Sequence, residues 1–142
     1  MKKKYKVTGI GNAILDITSQ VSENFLRENK IEKKIMKLVD DNESQMLYSL
    51  LTKKNMSVGG SIANTMIALS KLGLNTSYVG KINDDSMGHD FIRDMKNNKV
   101  NFYPNFSKNT SQTGRCICFI TPDGERSMCT NLGASKYIDT ND

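Results

Sequence analysis

The chain has 142 residues, 37% of them hydrophobic and 25% charged, a composition that suits one globular domain. It holds no run of about eighteen apolar residues, which excludes a membrane-spanning helix, and its basic start, MKKKYKVTGIGN, lacks the apolar core of a signal peptide. A net charge of +5 invites a nucleic-acid reading, but the lysines (Lys2 to Lys4, Lys33 and Lys34, Lys53 and Lys54) are scattered and not interleaved with aromatics. Solvated surface charge is the better reading, so neither a nucleic-acid nor a membrane partner is expected, and the expected location is cytoplasmic. A mildly basic surface also attracts phosphorylated ligands.

Along the chain, Tyr5 to Ile10 predicts a first strand, and after Gly11-Asn12-Ala13 the apolar Ile14, Leu15, Ile17 and Val21 predict a continued or second one. Ser22 can cap a short helix reaching about Asn29, with Phe25 and Leu26 facing inward. Met36 to Val39 reads as a short strand. Asp40 to Glu43 has the acidic cap and following glutamate of a capping box, and Met46, Leu47, Leu50 and Leu51 recur at helical spacing behind it. Asn55 to Val58 leads into Gly59-Gly60. The helix that follows is apolar around much of its circumference, as a buried helix is, and Gly73 ends it. Thr76 to Val79 predicts a strand and Ser86 to Asn97 a helix carrying Phe91, Ile92 and Met95. Strand and helix alternating over short connections argue for parallel βαβ units.

The last third changes character. Arg115 to Ile120 and Arg126 to Asn131 predict a hairpin around Pro122-Asp123-Gly124-Glu125, because Asp-Gly between two β runs is a hairpin signal. Counting back from that turn sets Cys118 opposite Cys129. Cys116-x-Cys118 is neither a zinc nor a thioredoxin spacing, so the three cysteines are expected to be reduced, packed thiols. His89 reads as a surface residue.

The stretch VGGSIANTMIALSKLG, Val58 to Gly73, sets two glycines where a helix starts, although Ser, Thr, Asp and Asn cap helices better. Bare backbone there suits close approach of a ligand; a tight strand-to-helix turn is the other reading. Two phosphate-loop patterns fail. Gly9-Ile10-Gly11 lacks the third glycine of a dinucleotide fingerprint, and Gly59-Gly60-Ser61 lacks the Lys of a P-loop.

What remains is Gly59-Gly60 with Asn64 in the first turns of a helix, and Asn12 with Asp16 at the end of the first strand. With GIGNAILDI, VGGSIANTMIALSKLG, VGKINDDSMGHDF and TGRCICFITPDGERSMCTNLGA in order and spacing, the sequence resembles the PfkB family of carbohydrate kinases, the ribokinase-like group that includes adenosine kinase. The first and last stretches are similar to its adenosine-kinase branch. The resemblance implies a three-layer α/β/α fold with a mostly parallel sheet and a small antiparallel β lid, the lid strands lying around 14–21, 36–39 and 111–131. It implies that Asp16 accepts hydrogen bonds from neighbouring sugar hydroxyls, which an acceptor-only carboxylate does well. Gly59 and Gly60 would seat the sugar and act as a hinge, Asn64 would contribute donor and acceptors, and Asn12 would serve either the ligand or a turn. Asp16 also reads as a strand-end turn residue and Asn64 as a satisfied helix polar group. Thr113, Gly114 and Arg115 belong to the lid. Where the family often has glycine in its Gly-x-x-Gly-x-Asp-x-x-Gly turn, this chain has Asn83, which tolerates left-handed backbone.

Family members are roughly twice as long, and the Gly-Ala-Gly-Asp motif that carries the catalytic base, with much of the ATP and Mg2+ site, lies in their second half. Gly133-Ala134-Ser135 is not that motif. The expectation is therefore that 1–142 is the N-terminal part of a single kinase domain, with the C-terminal half and every catalytic residue absent, and that it is inactive and marginally stable or self-associating on its own. The implied function is ATP-dependent phosphorylation of a hydroxyl of a sugar or nucleoside, with a homodimer through the lid as one possible assembly. The alternative is a non-catalytic binding or assembly module pairing through its lid strands.

Overall fold

The computed structural model describes residues 6–108, 111–140 and 142; Tyr5 of the expected first strand lies outside them. Two sheets organise the chain. The first takes β1 (Val7–Ile10), β5 (Thr76–Val79) and β7 (Asn101–Phe102) in the order β1-β5-β7, with both pairings parallel. The second takes β2 (Ile14–Gln20), β3 (Met36–Leu38), β4 (Asn55–Gly59), β9 (Gly114–Ile120) and β10 (Arg126–Asn131) in the order β3-β10-β9-β2-β4. This is the expected lid, and it is mixed: β2 with β9 and β10 with β3 run parallel, β10 with β9 and β2 with β4 antiparallel. A two-stranded ribbon, β6 (Lys81–Ile82) with β8 (Asn105–Phe106), completes the strands.

Helices cover one face of each sheet. α3 (Ser61–Lys71) and α4 (Ser86–Asn97) pack on the first sheet, where Ala63, Met66, Phe91 and Met95 bury against Tyr78, Val58 and Leu15. Tyr78, Phe91 and Phe102 form an aromatic cluster there with ring centroids 5.2 to 6.0 Å apart. α1 (Glu23–Glu28) and α2 (Asp41–Ser49) pack on the lid, where Leu26 and Leu47 bury against Ile17, Ile117, Phe119 and Cys129. On the other face of the first sheet Ile10 is 67% exposed. Among the described residues no helix is long and apolar enough to cross a membrane.

Local chemistry sets the helix ends. Ser22, Asp40 and Asp85 each cap a helix by accepting from the N–H three residues on, at 3.1, 2.8 and 2.7 Å. Gly73 ends α3 at φ +87°. Four expectations change. The apolar circumference of α3 is not buried: Ile62 is 39% exposed, and Leu72, just past the helix, is 79% exposed. Of the apolar residues in and just after α2, Leu47 and Leu51 are buried while Met46 and Leu50 face solvent.

Asn83 is not in the left-handed region; its amide donates to the Ser111 carbonyl at 2.9 Å and its N–H to the Thr113 hydroxyl at 3.0 Å. Gly88 is needed here because a methyl would overlap the Asn83 carbonyl. Finally, Cys118 does not face Cys129. The loop of the hairpin is the three residues Pro122 to Gly124, with Thr121 N–H donating to Glu125 and Gly124 at φ +83°. The register therefore pairs Cys118 with Met128 and Cys129 with Ile117. A slip of one residue moves a side chain to the opposite face, so Cys129 lies against the helices and all three thiols are free.

Candidate substrate shelf

The lid's second face carries no helix, and strand register says which side chains share it, because paired residues point the same way. One row across β4-β2-β9-β10-β3 reads Ser57, Asp16, Cys116, Thr130, Leu38, and the next reads Asn55, Thr18, Cys118, Met128, Met36. Ile14 and Gly59 pair one step in the other direction. The face is divided. Its β4–β2 end holds hydroxyls, an amide and a carboxylate, while its β9–β10–β3 end holds thiols, thioethers, Leu38 and the Thr130 hydroxyl, which is turned onto the Cys116 sulfur.

Asp16 sits over Gly59: a methyl there would overlap its carboxylate group. The bare glycine is what leaves room for the acid. The half-buried carboxylate has no hydrogen-bond partner among the described residues, and burial holds its pKa above the ordinary 3.8. Gly60 has φ +89° and ψ 135°, backbone that glycine alone adopts readily, and a methyl on it would come within 2.9 Å of the Asn12 carbonyl. The glycine pair thus joins the end of β4 to α3 while touching both Asp16 and the Asn12 backbone. Asn64 lies in the first turn of α3, its N–H donating to the Gly60 carbonyl at 3.0 Å. The side chains of Asn12 and Asn64 are exposed and bond to no other described residue. Asp16, Gly59, Gly60 and Asn12 are therefore brought together, and Asn64 stands one turn away.

Sequence reasoning missed Ser57, Thr18, Cys116 and Thr130. Alternation in β9 is the signal that finds part of this set: Ile117 and Phe119 go to the core, so Cys116 and Cys118 go to the shelf. The Thr130 hydroxyl donates to the Cys116 sulfur at 3.2 Å. Arg115, grouped with the lid from sequence, points away from the shelf. It is 3% exposed and donates from Nε to the Ser44 hydroxyl at 2.7 Å and from Nη2 to Gln45 Oε1 at 3.0 Å, tying α2 to β9. Burial lowers its pKa. Thr113 roots β9 to α4: Asp85 accepts from its N–H and its hydroxyl, both at 2.8 Å.

Comparison with known proteins fits this geometry. Residues 30–142 match the model of the pfkB family carbohydrate kinases. The chain belongs to the PfkB family of carbohydrate kinases. This PfkB chain is 29% identical over 134 residues to adenosine kinase 2 of Arabidopsis thaliana, a match covering 90% of the chain and 38% of that protein. The crystal structure of adenosine kinase from Sinorhizobium meliloti superposes with a TM-score of 0.85 and 38% identity over 99% of the chain and 43% of its own. A probable sugar kinase from Rhizobium etli CFN 42 superposes at 0.86 with 35% identity over 98% of the chain and 42% of its own. The fold is thus ribokinase-like α/β, and the chain spans less than half the length of these relatives.

Proposed function

We propose that residues 1–142 are the first part of a single kinase domain and form the substrate-gripping half of an ATP-dependent phosphotransferase, which phosphorylates a hydroxyl on a nucleoside in preference to a free sugar. The two-ended shelf carries this reading. From β2 to β3 is three strand spacings of about 4.8 Å, roughly 14 Å. A ribose or fructose ring occupies the polar end alone and leaves Cys116, Cys118, Met128, Met36 and Leu38 unused. A nucleoside covers both ends, with its sugar over Asp16 and Gly59 and its flat base on the sulfur and hydrocarbon surface, where thioether–aromatic contacts are favourable.

In this reading Asp16 accepts from two neighbouring sugar hydroxyls, each bond strengthened by its charge and by partial burial. Gly59 and Gly60 let the ring approach backbone, and Asn12 and Asn64 stand at the rim as further polar contacts. The chain's contribution to rate is orientation of the acceptor hydroxyl. Membership of the family supports use of ATP with Mg2+. Among the described residues, however, no group of three His, Cys, Asp or Glu side chains converges to hold a metal, so these residues do not fit a Mg2+ centre and no step of phosphoryl transfer is assigned to them.

The test is ligand-induced thermal stabilisation of the wild-type chain and Asp16→Asn with adenosine, ribose and fructose. Adenosine is expected to stabilise most, and Asp16→Asn to abolish the effect of all three. Equal stabilisation by ribose and adenosine would remove the nucleoside preference, and an unaffected Asp16→Asn would remove the shelf.

A further inference from the structure

The sulfur-lined end of the shelf has chemistry of its own. Of the chain's eight methionines and three cysteines, four share this one sheet face: Cys118, Met128 and Met36 stand side by side on three neighbouring strands, and Cys116 follows two residues from Cys118. We propose that this row is a binding site for a soft monovalent cation, Cu(I), ligated by the Cys118 sulfur and the Met128 and Met36 thioethers, with Cys116 alongside.

Neighbouring strands lie about 4.8 Å apart, so Met128 stands one spacing from Cys118 on one side and from Met36 on the other, and the three rotatable bonds of each methionine let the sulfurs reach toward one ion. The donor class selects the metal: thiolate and thioether ligands favour Cu(I), whereas oxygen donors favour Mg2+ and Ca2+. No three His, Cys, Asp or Glu side chains group to hold a metal among the described residues, so a zinc-type set is not offered here and the thioethers complete the site. Access is open from the edge strand, where Met36 is 54% exposed, while Cys118 at 6% and Cys116 at 7% form the floor. Asp16, paired with Cys116 across β2 and β9, adds a neighbouring negative charge, and Arg126, two residues before Met128 on the same face of β10, adds a positive one that favours the Cys118 thiolate. Ligation replaces the Cys118 S–H bond with a Cu–S bond and releases the proton to solvent; copper stays in the +1 state. Cys129 faces the helices from the other side of the sheet and is the internal control.

The experiment is anaerobic titration of Cu(I)-bicinchoninate with the chain, followed by the loss of chromophore absorbance. One Cu(I) per chain is expected to transfer. Met36→Leu and Met128→Leu, volume-conserving changes, should each weaken binding by at least about tenfold, no less than the loss of an outer-shell partner costs. Cys118→Ser should weaken it further, and Cys129→Ser should leave it unchanged, with circular dichroism showing each variant folded. Because Met36 is exposed, its replacement tests the site without threatening the fold. Wild-type affinity in both methionine variants, or loss of binding in folded Cys129→Ser, overturns the proposal. Nucleoside binding plays no part in these readouts, so failure here leaves the kinase reading standing, and the reverse.

Discussion

Replacing Gly59 with alanine isolates the contact on which the shelf depends. Gly59 does not have positive φ, so its backbone accepts alanine without strain. The added methyl instead meets the Asp16 carboxylate, which must swing away. Overpacking usually costs about 1–3 kcal/mol. Here the displaced group is half-buried and bonded to no other described residue, so the fold should lose only about 1 kcal/mol, the low end of that range. Ligand binding should lose far more. Hydrogen bonds to a charged group contribute about 1.5–3 kcal/mol each. Losing two costs about 3 kcal/mol or more, roughly a hundredfold in Kd. Calorimetric titration with adenosine, beside a thermal melt, separates the two effects. A folded Gly59→Ala chain that binds adenosine as tightly as wild type would refute the coupling of carboxylate and bare glycine.

Three further outcomes follow from named contacts. Because burial holds the Asp16 pKa above its ordinary 3.8, the native state binds that proton more tightly than the unfolded chain. Its contribution to stability is therefore best below the ordinary value and falls as pH rises through the window just above it. Asp16→Asn should raise Tm at neutral pH while losing the ligand, and wild-type ligand affinity should weaken on acidification through that window; melts and titrations across pH check both signs. Asp85→Ala removes the α4 cap and both Thr113 bonds and should cost about 3 kcal/mol or more by chemical denaturation, whereas a change below about 1 kcal/mol would show that Thr113 finds other partners. Burial pushes the Cys129 thiol up to about 11. It should resist thiol reagents at mildly alkaline pH until the chain unfolds, and mass spectrometry without reductant should find no disulfide.

The sequence by itself determined the features that arise from neighbours three or four residues apart. Asp40 announces α2, the helix read from about Ser86 to Asn97 is found there, Asp-Gly announces the hairpin, and the glycine pair marks the start of α3. Tertiary structure decided what depends on pairing over distance. β4 escaped notice because Asn55–Gly59 is a short, largely exposed edge strand whose one partner among the described residues lies some forty residues earlier. One residue more or less in the hairpin loop chose which face of the sheet Cys129 takes, since strand period makes register binary. The apolar girdle of α3 gave no clue to which side would be covered, because burial is set by what packs against a helix and not by its own composition. The companions of Asp16 on the shelf, Ser57, Cys116 and Thr130, come from strands spread over more than a hundred residues of chain, and only the closed sheet sets them in one row.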